Sequence, residues 1–375
     1  MRLTVAAVAA VSLLFPSTPA IAQRAGQLIS ADPVVETPGG MQAWRISYWT
    51  TTGKSAPIRA TGMVVAPREA IPPRPRPVLA FTHGAWGVAQ KCAPSLSADF
   101  WRFTAGLQAV SRGYTVVAPD YPGLGIEGIH GFLVGPDTAR SVLDAVRAAG
   151  QIPGAAAGKQ FAVWGESQGG HASLWTGQRA RHYAPDLDLV GVAAAAPPTY
   201  LIDNLRQGSD PSARTLLTSY AIHSWSRFYG IPVSTVAGPQ SRGIITRLSE
   251  NNCVNFESAP RLGAILGILT LRRNLRKVDL GKIEPWASHA RANSAKPAQI
   301  EVPMLIAQNP KDTIVAPAVT RRFARDACAA RKRVRWIDIK GKGHGSSASD
   351  TAAATLDWVS DRFAGRPAPN DCGKF

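Results

Sequence analysis

Cysteine is scarce in this 375-residue chain, which has four: Cys92, Cys253, Cys328 and Cys372. They form no Cys-x-x-Cys pair and no His/Cys cluster, so the familiar metal-ligand spacings are missing and no metal is expected. Long apolar runs are missing too. Beyond the N-terminus nothing approaches the roughly 18 consecutive apolar residues of a membrane-spanning helix, which excludes a transmembrane segment from the mature chain. Acidic residues are few, 25 Asp and Glu against 42 Lys and Arg, leaving a formal net charge of +17. Such an imbalance suits nucleic acid, anionic lipid or an acidic cell wall. The basic residues are scattered, except for Arg331-Lys-Arg-Val-Arg335, which leads into a strand-like run. A solvated basic surface is the plain reading, and peripheral contact with an anionic lipid or cell-wall surface the sharper one.

At the start, Met1-Arg2 is followed by an apolar run from Leu3 to Phe15, then Pro16, Pro19 and Ala20-Ile-Ala22. A charged start, a short apolar core and an Ala-x-Ala site read as a secretory signal peptide over residues 1–22, cleaved after Ala22. An uncleaved anchor is the alternative. Export argues against nucleic acid and predicts a secreted protein, whether extracellular, periplasmic or cell-wall associated. It also predicts two disulfides among the four cysteines, with three connectivities open.

The mature chain reads as an α/β protein. Val78–Thr82, Tyr114–Ala118, Phe161–Trp164 and Leu187–Ala196 are apolar runs of strand length, separated by loops and helix-like stretches at 99–112, 137–149 and 170–183. Unbroken apolar strands point to a mostly parallel sheet covered on both faces. Trp44–Trp49 and Ala60–Val65 alternate and read as an antiparallel pair, with residues 23–40 an irregular lead-in. Between residues 199 and 296 helical pieces replace strands, as expected of a helical lid or cap inserted between a first core part, 23–198, and a second, 297–375. Leu262–Leu271 is apolar almost all round; packing inside the cap or lining an acyl pocket are the two readings. The sheet resumes at Val302–Gln308 and ends at Val334–Ile339.

One turn organises the chain. Gly165-Glu-Ser-Gln-Gly169 lies between a strand-like run and a helix-like one, as a sharp strand-to-helix turn that exposes Ser167 as a nucleophile requires. The pattern alone is weak; its context strengthens it. A serine needs a base, and His344 sits between Gly343 and Gly345 after the last strand, on a loop free to turn toward it. The base needs an acid, and Asp312 follows the preceding strand. Asp338, inside a strand, and Asp350, at a helix start, are its rivals. The order Ser167, Asp312, His344 is that of α/β-hydrolases. The backbone N–H of Gln168 and that of Ala85, in His83-Gly-Ala-Trp-Gly87, are the expected oxyanion donors, with Trp86 as the alternative to Ala85. His83 reads as a loop brace, His171 as a packed helix residue, and Asp120 as a turn residue. Ester hydrolysis through an acyl-enzyme follows from this set, with no cofactor.

The chain resembles the secretory lipase family of the α/β-hydrolase superfamily. The resemblance rests on Gly165-Glu-Ser-Gln-Gly-Gly-His171, Val116-Val-Ala-Pro-Asp-Tyr-Pro-Gly-Leu-Gly125, Cys92-Ala-Pro-Ser95, Asp312-Thr-Ile-Val-Ala-Pro317 and Gly343-His344. It implies a triacylglycerol or long-chain ester hydrolase with a helical lid, and the pairings Cys92–Cys253 and Cys328–Cys372. Closing the second loop would contribute about 4 kcal/mol in the chain-entropy account. Two features depart from the family: the chain has no room for a C-terminal flap after Cys372, and the His83–Gly87 loop is not the fungal form. A serine peptidase or amidase, an acyltransferase, and a non-catalytic exported binding protein are the alternatives on the same fold.

Overall fold

The structure is a computed structural model, and it describes residues 24–254, 261–341 and 343–375. The signal peptide expected at 1–22 lies outside the described residues. Nine strands form one sheet: β1 (Leu28–Pro33), β2 (Met41–Thr51), β3 (Pro57–Pro67), β4 (Arg76–Thr82), β5 (Thr115–Pro119), β6 (Ala157–Glu166), β7 (Asp188–Ala195), β8 (Met304–Gln308) and β9 (Val334–Asp338). Their spatial order is β1-β2-β3-β5-β4-β6-β7-β8-β9. β1, β2, β3 and β5 pair antiparallel; all pairings from β5 across to β9 are parallel. The chain therefore has the α/β-hydrolase architecture expected of it, with the switch in crossover direction beside β4 and β6 where α/β sheets place their ligand sites.

The helices are α1 (Phe100–Phe103), α2 (Gly135–Ala149), α3 (Gln168–Tyr183), α4 (Leu201–Gln207), α5 (Pro211–Tyr229), α6 (Pro239–Asn251), α7 (Leu262–Asn274), α8 (Trp286–Ala292), α9 (Pro317–Ala329) and α10 (Ser347–Phe363). Strand alternation divides the core in two. Phe161 and Val163 of β6 join Val142, Leu143 and Phe323 under α2, α3 and α9. Ala162 and Trp164 face the other way, with Leu107, Leu356 and Val359 under α10. Both faces of the inner strands are thus dry, which is why those strands are near-continuous apolar runs. A third cluster, with Tyr220, Ile222, Trp225, Leu248, Leu271 and Trp286, holds α5 to α8 together. Between β7 and β8 the described residues carry five α-helices, α4 to α8, and no strand.

Two expectations need correction. Residues 28–33 are an edge strand paired to β2 from Leu28 with Tyr48 to Pro33 with Trp44, instead of irregular lead-in. Their side chains are exposed or half-buried, so no apolar run marks them. The helix expected at 99–112 is broken: α1 stops at Phe103, Thr104 has φ −91° and ψ 87°, and residues 105–112 form a 3₁₀ stretch. Gly106 accounts for the change, because its Cα lies so close to Phe81 that an added Cβ would sit 2.5 Å from that ring. The 3₁₀ turn brings the backbone down onto β4.

Two disulfides clamp the fold. Cys92–Cys253, with Cα atoms 5.3 Å apart, ties the loop after β4 to the segment between α6 and α7. Cys328–Cys372 ties α9 to the C-terminal tail across 5.6 Å.

Candidate active site

β6 runs into α3 with almost no connection. Ser167 stands between them at φ 53° and ψ −123°, a strained conformation for a residue with a Cβ. Its N–H donates to the Ala195 carbonyl of β7 at 2.9 Å, and its carbonyl accepts from His171 N–H at 3.0 Å. The strain persists because the surroundings leave no alternative. A Cβ on Gly165 would lie 2.0 Å from Thr82 Oγ1, and one on Gly169 would lie 1.9 Å from the Thr82 carbonyl oxygen. Thr82 Oγ1 is itself fixed, 2.8 Å from both the Gly169 carbonyl and Ser173 Oγ. These two glycines let α3 and β4 approach closely enough to force the turn.

Ser167 Oγ donates to His344 Nε2 at 2.8 Å. His344 Nδ1 donates to Asp312 Oδ2 at 2.8 Å. The loop after β6, the loop after β8 and the loop after β9 therefore deliver the three side chains expected from the sequence to one point. Asp312 is buried and held on all sides: Oδ1 accepts from the N–H groups of Ile314 and Val315 at 2.8 and 3.0 Å, and Oδ2 also accepts from Gln308 Nε2 at 3.1 Å. Burial pushes its pKa up, but the hydrogen bond and charge of His344 and the two backbone donors outweigh that, so Asp312 titrates below the ordinary carboxylate value. The rival acids lie elsewhere. Asp338 is exposed at the sheet edge with Arg321 and Trp336, and Asp350 accepts from Ser346 in the first turn of α10.

Gln168 begins α3, where backbone N–H groups have no partner within the helix. With Ala85, it lines an apolar cavity of about 60 Å³ beside Ser167, whose walls include Phe132, Leu201, Leu217 and Trp225. Two histidines near the site, His83 and His130, brace it. His83 stacks on Tyr121 at 4.2 Å, with ring nitrogens 2.6 and 3.1 Å from the carbonyl oxygens of Gly84 and Asp120. His130 lies 3.1 Å from Gln168 Nε2, fixing the side chain that follows Ser167, and burial drives its pKa down to about 3. Asp120 accepts from Ser95 N–H, Ser95 Oγ and Thr61 Oγ1.

Two supporting residues escape sequence reasoning. Gln308 steadies Asp312, and Glu166 Oε2 accepts from Ala348 N–H at 2.9 Å, pinning the start of α10 just after His344. Desolvation raises the Glu166 pKa, partly countered by that N–H. A polar residue closing a buried strand, and an acid within the Gly-x-Ser-x-Gly turn, are the only sequence signals of these roles.

His171 gives a pH signature. It is buried on α3, with Nε2–H donating to the Asn293 carbonyl at 2.7 Å, and burial lowers its pKa to about 4, below the ordinary imidazole value of about 6.5. Its folded-state pKa lies below its unfolded one, so its stabilising contribution is complete above about pH 6.5 and is lost as pH falls toward 4. The loss between about pH 7 and about pH 4.5 should be on the order of 2 kcal/mol. Asp137, raised by burial to about 6, acts in the opposite sense over part of this range. Urea denaturation at the two pH values should therefore show a smaller acid loss for His171→Gln than for the wild type.

This geometry and topology define an α/β-hydrolase fold. The resemblance to the secretory lipase family holds in the comparisons as well. The family's Secretory lipase model matches residues 103–212, which contain the Ser167 turn. A Mycobacterium tuberculosis protein named "Probable inactive lipase" is 26% identical over 358 residues, covering 88% of this chain and 75% of that relative. Lipase 5 of Candida albicans is 23% identical over 289 residues, 70% of this chain and 58% of its own length. Among solved structures, the closed state of Candida antarctica lipase A superposes with a TM-score of 0.73 at 19% identity, over 93% of this chain and 85% of that one. The protein is thus lipase-like in sequence and fold. One of its relatives carries the label inactive, so likeness alone does not carry activity.

Proposed function

We propose that the protein is an exported serine carboxylester hydrolase that works through Ser167, His344 and Asp312. The observation that carries this reading is the unbroken hydrogen-bond line from Ser167 Oγ through the imidazole to a buried, ionised carboxylate. Ser167 Oγ attacks the ester carbonyl while His344 Nε2 takes its proton; Asp312 keeps Nδ1 protonated and stabilises the imidazolium. The N–H groups of Gln168 and Ala85 receive the oxyanion. His344 then protonates the leaving alcohol, and water releases the acyl group by the same route in reverse. The step needs no cofactor. Two disulfides and the likeness to secretory lipases support an extracellular location.

The acyl side argues for short chains, in contrast to the long-chain esters that the resemblance implies. A cavity of about 60 Å³ is well below the roughly 150 Å³ that accepts a benzene ring. Among p-nitrophenyl esters, acetyl to butyryl should be turned over best, and palmitoyl should fall at least about tenfold in kcat/KM. A maximum at octanoyl or beyond would refute the short-chain assignment, and no turnover of any ester would refute the hydrolase reading itself.

A further inference from the structure

The outer face of α7 has no partner among the described residues. Leu262, Ile265, Leu266 and Leu269 are 71, 39, 55 and 46% exposed. Their spacing of three and four residues places them in one stripe along the helix. The opposite face anchors the helix: Leu271 is fully buried, Ile268 packs on the α5–α8 cluster, and Gly267 lets α7 come against Ile244 and Leu248. The helix is therefore apolar on two faces, and only one of them is used internally. The other exposed large apolar residues among those described, such as Ile29, Val35 and Ile71, are scattered singly. A stripe of four on one helix marks an interaction surface.

The same stripe continues in a different chemistry. One turn past Leu269 come Arg272 and Arg273, and then Arg276, all exposed. Arg261 stands before the helix and Lys277 after it, and no Asp or Glu occurs from Arg261 to Val278. None of these five cations makes an ion pair among the described residues. At 13 residues the helix is about 20 Å long, too short to cross a bilayer, and no helix among the described residues is long and apolar enough to do so. An apolar stripe bordered by arginines that make no ion pair among the described residues suits a helix lying in the plane of a lipid surface, with leucines among the acyl chains and guanidinium groups on phosphates.

We propose that α7 is a docking element for anionic lipid membranes. An acidic polysaccharide would satisfy the arginines but leave the leucines in water, and a neutral apolar partner would leave five positive charges unanswered. The lipid surface meets both demands. The docking does not depend on the ester chemistry, because none of the stripe residues lines the cavity at Ser167.

Sedimentation with vesicles tests it on the full mature chain. Phosphatidylcholine vesicles carrying roughly one-third phosphatidylglycerol should bind the wild type at least about tenfold more tightly than phosphatidylcholine alone. Leu262→Ser/Leu266→Ser/Leu269→Ser should lose about tenfold on the anionic vesicles, and Arg272→Gln/Arg273→Gln/Arg276→Gln should bind both vesicle types equally weakly. Both variants should keep the wild-type melting temperature and turnover of a water-soluble ester. Ser167→Ala should bind vesicles like the wild type, which separates this test from the fate of the hydrolase reading. Binding by the leucine variant equal to wild type would overturn the insertion. So would a concentration-dependent dimer in sedimentation velocity that the leucine variant abolishes, because the stripe would then belong to a second copy of the chain.

Discussion

Ser167→Ala should lower kcat/KM for p-nitrophenyl butyrate by roughly 10⁶-fold, and His344→Ala should cost about as much. The two side chains act as one unit: Oγ is a weak nucleophile until Nε2, 2.8 Å away, can take its proton. Removing either partner leaves only binding and oxyanion stabilisation. The double variant should therefore be no slower than the worse single one. Independent contributions would multiply, and a double variant slower by the product of the two losses would show that the residues do not form a catalytic pair. A fluorophosphonate probe should label the wild type on Ser167 alone and leave Ser167→Ala unlabelled. If the wild type and Ser167→Ala behave alike in every assay, the protein is a binding protein on a hydrolase scaffold. A relative with an inactive label makes that comparison the first to perform.

The parts of this fold legible in the sequence are those fixed by local physics. β4, β8 and the inner stretches of β6 and β7 are dry on both faces, so each is written as an apolar run. The Ser167 turn is written in glycines because Thr82 occupies the space where side chains would go. Features fixed by distant partners were not legible. β1 is an edge strand whose side chains are exposed or only half-buried, and its pairing with β2 leaves no periodic mark. Glu166 meets Ala348 across 182 residues, a contact that only the closed sheet creates. α7 illustrates a different limit. Its composition is that of a buried helix, and periodicity cannot say that a second apolar face looks outward; the structure does, with Leu262 at 71% exposure. The same applies to the acyl side, where the cavity volume depends on how Trp225 of α5 meets Phe132 of the loop before α2.

Asp312→Asn should reduce kcat by about 10⁴-fold while changing KM little. The carboxylate does two separable things. Oδ1 accepts from the N–H groups of Ile314 and Val315, which fixes the turn after β8, and an asparagine carbonyl can keep that role. Oδ2 accepts from His344 Nδ1–H and from Gln308 Nε2, and there the amide presents an NH₂. His344 then answers by placing its own proton on Nε2, toward Ser167, where the nucleophile needs a free lone pair. The loss is thus one of tautomer and of charge opposite the imidazolium, with the fold left in place. The melting temperature should stay near that of the wild type at neutral pH, and fluorophosphonate labelling should slow in parallel with turnover. Asp338→Asn and Asp350→Asn serve as controls, because their partners are Arg321 and Trp336 in one case and Ser346 in the other. If either control costs more than Asp312→Asn, or if Asp312→Asn costs less than about tenfold, the acid has been assigned to the wrong strand end.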